Sequence, residues 1–138
     1  MTKKKNTLSI TEQDFLDIAG VMFVVLDTNA RVVIINKKGC EILGYKKDEI
    51  LGKDWFSHFF PKESRDEVRS VFYKLIKGDL KPPEFYTNPV VTKNGEQRHL
   101  SFHNNILRNR EGNIVGTLSS GEDITERKKT EETLSYSE

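Results

Sequence analysis

The side chains with the most reactive chemistry are few: three histidines, His58, His99 and His103, and one cysteine, Cys40. His99 and His103 fall with Ser101 on one face of an alternating strand, a spacing that can present two imidazoles to a metal. No carboxylate or cysteine shares that row, and a structural zinc takes four ligands, so surface or interface residues are the better account. Cys40 has nothing nearby placed to lower its pKa and reads as a small core filler rather than a nucleophile. His58 stands among Trp55, Phe56, Phe59 and Phe60 just before Pro61, the setting of a structural histidine. No stretch offers a nucleophile elbow, a phosphate-cradling Gly-rich loop or a His-Glu metal helix. The chemistry on offer is therefore binding rather than turnover. Its focus is Asn104. Along Glu96 to Leu107, period-two alternation puts Leu100, Phe102, Asn104 and Ile106 on an interior face and His99, Ser101, His103 and Asn105 outside. A buried amide must find partners, each contributing about 1 kcal/mol. Asn104 can bond a ligand, or it can tie its strand to Trp55 or to a helix backbone.

Several elements must position these residues. Residues 1–8 read as a disordered segment, with Lys3 to Lys5 a solvated run. Ser9 and Glu12 have capping-box spacing ahead of a short helix whose apolar side is Phe15, Leu16 and Ile18. Gly20 to Leu26 and Arg31 to Ile35 are β-branched and apolar across the turn formers Asp27 to Ala30, which predicts an antiparallel hairpin. Asn36 caps a short helix ended by Gly44, and a second, Lys47 to Leu51, stops at Gly52. After the aromatic segment and Pro61, Ser64 and Glu67 repeat the capping-box spacing. Val68, Val71, Phe72, Leu75 and Ile76 then recur at helical period until Gly78. Pro82-Pro83 marks the return to strands. Phe85 to Thr92 and Glu96 to Leu107 flank Asn94-Gly95, the pair suited to a two-residue type I′ turn. Glu111-Gly112 turns into Ile114 to Ser120. The order predicts an α+β domain with an antiparallel five-stranded sheet, over residues 9–122.

Past the last strand, Asp123 is suited to N-cap a helix, with Glu126 three residues on to complete a capping box. The segment 123–138 is polar on nearly every face and has little to bury, so it reads as a connector towards another domain. Its only large aliphatics are Ile124 and Leu134, too few for a heptad pattern.

The stretch Gly121-Glu-Asp-Ile-Thr-Glu-Arg-Lys-Lys129 resembles the C-terminal edge of a PAS sensor domain, where Asp-Ile-Thr joins the last strand to a signalling helix. Asn36 to Gly44, Gly44-Tyr45 with Glu49-Ile-Leu-Gly52, and Thr92-Lys-Asn-Gly-Glu96 resemble the same family in the same order, together covering about residues 12 to 129. The resemblance implies a PAS fold: short helices over one sheet face, flanking N- and C-terminal helices, and a cleft between helices and strands. It implies cleft candidates Phe23, Asn36, Cys40, Trp55, Phe56, Phe72, Phe102 and Asn104. Asn104, Phe102 and Trp55 come first, because relatives that hold flavin non-covalently use amide and aromatic residues there. A non-covalent flavin or a small metabolite is compatible with this set. Cysteinyl-flavin photochemistry is not expected, since Asp54-Trp-Phe-Ser-His58 lacks the thiol such relatives carry. Haem is not expected either, since residues 63 to 77 contain no histidine. Gly121, Asp123, Ile124, Thr125 and Arg127 are the implied relay, and Glu49 with Lys93 an ion-pair latch across the cleft mouth. The family implies a homodimer and an output domain such as a histidine kinase, with any kinase activity in that domain. A ligand-free dimerisation scaffold is the alternative, and a small enzyme using the cleft is disfavoured by the missing nucleophile and metal sets.

Composition agrees. With 138 residues, 22 of them basic and 21 acidic, the chain suits one domain and has no electrostatic footprint for nucleic acid. The longest apolar run, Val21 to Leu26, is far too short to cross a bilayer. A single cysteine fits a reducing, cytosolic setting.

Overall fold

The structure, a computed structural model, describes residues 10–81 and 85–137, the side chains of 135–137 excepted. Ser9, the 1–8 segment and Pro82-Pro83 lie outside the described residues. Five strands form one antiparallel sheet: β1 Met22–Asp27, β2 Val32–Ile35, β3 Tyr86–Val91, β4 Gln97–Arg108 and β5 Ile114–Asp123. Their spatial order is β2-β1-β5-β4-β3, so the last strand lies at the centre beside the first. The helices are α1 Glu12–Ile18, α2 Lys37–Leu43, α3 Lys47–Ile50, α4 Trp55–Phe59, α5 Lys62–Ile76 and α6 Thr125–Ser137. The core lies between one sheet face, with Met22, Val24, Leu26, Leu100 and Phe102, and the helices that bring Leu43, Ile50, Phe59 and Phe72 against it.

The three hairpin loops share one geometry. Asp27, Thr92 and Asn109 each accept a backbone bond from the residue three further on, Ala30, Gly95 and Gly112, and those three residues have φ of 64°, 87° and 88°. This is a type I turn closed by a left-handed residue, and it differs from the type I′ turn predicted at Asn94-Gly95. The reason is local: the Asn94 side chain bonds the Thr92 hydroxyl at 2.6 Å, and Lys93 N–H donates to Leu43 O, drawing the loop onto α2. In the first hairpin the left-handed position is held by Ala30, a conformation that costs a non-glycine residue about 1 kcal/mol. Its fully buried methyl belongs to the core, which offsets the strain.

Two helix starts and one strand end also differ from the spacing. α1 is capped by Thr11, not Ser9, in a complete capping box with Asp14. Phe15 and Ile18 are 65% and 80% exposed, so α1 does not lay an apolar face on its own sheet. Polar ties hold it instead: Asp17 Oδ1 accepts from Lys37 N at 2.7 Å. α5 begins at Lys62, two residues before Ser64, because Pro61 already presets the entry and Ser64 falls inside the first turn. β5 runs on to Asp123, three residues beyond the expected end, because pairing with β4 continues through Leu100↔Asp123.

Asn36 sits where α1, β1 and α2 meet, and it is fully buried. Its Oδ1 accepts from Phe23 N (2.9 Å) and Gly39 N (3.0 Å), while Nδ2 donates to Leu16 O (2.7 Å) and Val21 O (2.9 Å). Every hydrogen-bonding position of the amide is thus used. Asn36→Ala should lower the unfolding free energy by about 2–3 kcal/mol in urea denaturation, since it removes a cap and strands buried backbone groups. A loss below about 0.5 kcal/mol would show that the amide does not organise the junction.

Candidate functional site

The cavity lies beneath α4 and α5, over the centre of the sheet. Asp54 starts α4 by accepting from Ser57 N (2.9 Å), and it also pairs with Arg69 of α5 at 3.1 Å. Burial pushes the Asp54 carboxyl up, but the bonds from Ser57 and Arg69 outweigh it and hold it below the usual value. Arg65 gives further bonds to Phe56 O and Phe60 O, so α5 holds α4 from both of its ends. The aromatics that α4 delivers close the roof: Trp55 and Phe59 are 5.2 Å apart between ring centroids, Phe56 and Phe72 5.5 Å. Phe60 stacks on Phe102 of the floor at 6.4 Å.

Trp55, Phe56, Phe72, Phe102 and Tyr86 supply the aromatic lining, and Asn104, Thr117 and Ser119 the polar floor. The cavity measures about 30 Å³, enough for a water or two, against roughly 300–1,000 Å³ for sites that enclose a drug-sized ligand. Asn104 is buried, as alternation predicts, but its partner is neither Trp55 nor a helix backbone. Its directly paired residue Ser119 donates a 2.5 Å hydrogen bond to Oδ1. Asn104 Nδ2 is buried with no hydrogen-bond partner. Tyr86 stands on the neighbouring strand; burial raises its phenol pKa, and the Asn104 amide is near enough to pull it partly back without meeting it in hydrogen-bond geometry.

Of the eight cleft candidates, Trp55, Phe56, Phe72, Phe102 and Asn104 line this cavity; Phe23, Asn36 and Cys40 do not. Asn36 is consumed by its four backbone bonds. Phe23 alternates with the buried residues of β1 and is only half-buried. Cys40 is half-buried on α2, where burial pushes its thiol pKa up. Glu49 and Lys93 do form an ion pair at 2.9 Å, joining α3 to the β3–β4 loop, although neither lines the cavity. The Lys93 ammonium also lies 5.6 Å from the Tyr45 ring, which packs in a T-shaped arrangement with Phe59. His58 is exposed, and His103 stacks on Phe85 outside the sheet.

At the exit, Asp123 does not act as the expected N-cap with Glu126. It ends β5, and Ile124 occupies the cap position, its C=O accepting from Lys128 N. Asp123 Oδ1 accepts from Thr125 N (3.0 Å) and Thr125 Oγ1 (2.5 Å), and Oδ2 accepts from Arg98 Nε (2.9 Å). The guanidinium, fixed on β4 beside Leu100, sets this geometry; Glu126 instead lies 3.9 Å from Lys129. Thr125 is buried and takes His99 N–H at 2.8 Å, while Ile124 N–H donates to His99 O. Arg127 is exposed. Gly121 is buried between cavity and exit: a Cβ there would come within 3.1 Å of the Phe102 ring.

Helices folded over a five-stranded antiparallel sheet of this order, with a small cleft between an aromatic roof and a polar floor and a polar helix leaving the central strand, define a sensory domain architecture. The family profile described as "PAS fold" matches residues 16–129, and the chain belongs to the PAS family. It is 27% identical over 115 residues to sporulation kinase C of Bacillus subtilis (strain 168), a match covering 80% of this chain and 26% of that protein. The chain thus corresponds to about a quarter of the kinase. The PAS domain of a Colwellia psychrerythraea protein superposes with a TM-score of 0.69 at 18% identity, over 80% of this chain and 92% of that one. The PAS domain of the Cronobacter turicensis RpfR quorum-sensing receptor in complex with C12:0 gives 0.66 at 22% identity, over 78% and 96%. At these identities the structural likeness shows the fold alone. No helix of the described residues is long and apolar enough to cross a membrane.

Burial pushes the Asp123 carboxyl up, but the Thr125 bonds and the Arg98 guanidinium outweigh it and hold the carboxyl below its ordinary value. A depressed folded-state pKa stabilises above the unfolded value and stops doing so as pH falls through the folded one. Urea midpoints should therefore fall between about pH 5 and pH 2, with Asp123→Asn showing a shallower fall because Asp54, Asp17 and Glu49 contribute the remainder. An identical pH profile in the variant would remove Asp123 from the exit junction.

Proposed function

We propose that the domain senses a small molecule in the cleft beneath α4 and α5 and relays its occupancy through β5 to an output domain beyond α6, of the histidine-kinase kind. The observation that carries this is a continuous register. Asn104 pairs with Ser119 on the cavity floor, Phe102 with Gly121 at its edge, and Leu100 with Asp123 at the exit. A group that moves Phe102 or Ser119 strains the strand whose end holds Thr125 and the first turn of α6. A small rotation there would re-aim the exit helix and alter its pairing in a dimer. The matched kinase supports a linked output domain, and the RpfR domain shows that a PAS domain of similar fold can be described in complex with a ligand. The role is binding rather than catalysis: Tyr86 is the one titratable residue along the cavity wall, the other polar groups being a neutral amide and hydroxyls, and burial raises its pKa away from that of a useful base. A domain with this single cysteine suits the reducing cytosol, where we place it.

A second reading has its own support. Phe15 and Ile18 are exposed on α1 and the cavity is nearly filled, as expected of a ligand-free homodimer scaffold. Native mass spectrometry beside a denatured sample, with an absorbance scan, separates the two. A released small molecule is expected for the sensor; bare protein at dimer mass, unchanged by added extract of small molecules, would favour the scaffold. In the parent kinase, Asp123→Ala should leave the domain folded and abolish the response of output to ligand. An unaltered response would contradict the relay.

A further inference from the structure

Two buried side-chain nitrogens among the described residues have no hydrogen-bond partner, Arg69 Nε and Asn104 Nδ2. Arg69 already donates to Asp54 and Ser57, and its guanidinium carbon lies 6.0 Å from the centroid of the Phe56 ring, in the seam between α4 and α5. Asn104 is different: it is 7% exposed, it lines the cavity, and its Oδ1 is taken by Ser119. The Tyr86 phenol lies near this amide without meeting it in hydrogen-bond geometry, and a buried donor left unmet costs more than a hydrogen bond returns, so the amide is poised for an acceptor. The charge of that acceptor can also be read. None of the residues lining the cavity is Lys, Arg, His, Asp or Glu, so an ionic head group would lose its water and find no counter-charge. The surrounding wall, from Trp55 to Phe102, is aromatic and aliphatic.

From these observations we infer that Asn104 Nδ2 is the specificity donor of the cleft, and that it selects an uncharged ligand with a carbonyl-type acceptor on an apolar body. This rests on the sensor function proposed above. The acceptor oxygen takes the Nδ2 hydrogen in the existing small space, and the apolar body displaces side chains of the aromatic roof. A neutral ketone, ester or amide fits; a carboxylate or an ammonium does not.

The test uses four eight-carbon probes at neutral pH: 2-octanone, 1-octene, octanoate and octylammonium. Trp55 is the chain's single tryptophan and lies in the cavity wall, so its fluorescence reports occupancy. The side-chain amide of Asn104 reports the bond by nuclear magnetic resonance. 2-Octanone should bind about tenfold more tightly than 1-octene, the cost of leaving one buried donor unpaired, and should shift the Asn104 amide resonance. Asn104→Leu should erase that ratio while 1-octene still binds. If the variant does not fold, the amide shift in the unaltered protein decides alone. Octanoate or octylammonium binding as tightly as the ketone, or a ketone that leaves the Asn104 amide unmoved, overturns the inference and leaves the sensor function standing. Failure of all four probes to change Trp55 emission overturns both.

Discussion

The whole arrangement depends on β5 pairing along both edges at once. β1 takes one edge from Met22↔Gly121 to Asp27↔Gly116, and β4 takes the other from Leu100↔Asp123 to Arg108↔Ile114. A strand bonded on both sides cannot slip by one residue without turning its buried set, Thr117, Ser119 and Gly121, to the opposite face. The same strand therefore fixes the cavity floor and delivers Asp123 to Arg98. At Gly116 the backbone of β1 passes so close that an added Cβ would lie 2.2 Å from Leu26 O. The central pairing tolerates no side chain there.

The roof is held less firmly than the floor. α4 is five residues long, too short to be stable alone, and owes its place to a cap at Asp54, the clamp from Arg65 and Arg69, and aromatic packing. The ion pair of Asp54 with Arg69 is partly solvated and contributes little by itself. Rings tilted at 5–6 Å add about 0.5–1.5 kcal/mol per pair and knit α4 to itself and to α5, while Phe60 stacked on Phe102 at 6.4 Å joins the roof to the floor. A rigid floor under a roof fastened by side chains is a construction in which filling the cavity is felt first by Trp55, Phe56 and Phe60.

Much of this was legible in the sequence because it is written in local signals. Alternation placed Leu100, Phe102 and Asn104 on the interior face, and Asn36 announced both a cap and a strand end. What local signals do not carry is long-range pairing. Alternation along β5 puts Ser119 and Thr117 on one face, but only the register with β4 brings Ser119 to Asn104. Arg98 reaches Asp123 through the same pairing, and without that partner Asp123 has the look of a simple helix cap. Resemblance places Asn36 in the cleft, whereas its four backbone contacts draw together α1, β1 and α2. Phe15 and Ile18 show the opposite limit: helical spacing identifies an apolar stripe but not whether its own chain covers it.

We propose that the cavity and the exit junction form one mechanical unit joined through Phe102 and Gly121. The most direct measurement is the titration of the Asp123 carboxyl by nuclear magnetic resonance in the natural sequence and in Phe102→Leu, with Glu49 as an internal reference. Phe102 is not among the hydrogen-bond or ion-pair partners of Asp123, so a change there reaches the carboxyl indirectly, through the paired strands and the packing around them. Loosening the floor should move Asp123 up towards the ordinary carboxylate range while Glu49, held by Lys46 and Lys93, stays where it was. A folded variant in which Asp123 titrates unchanged would contradict the account.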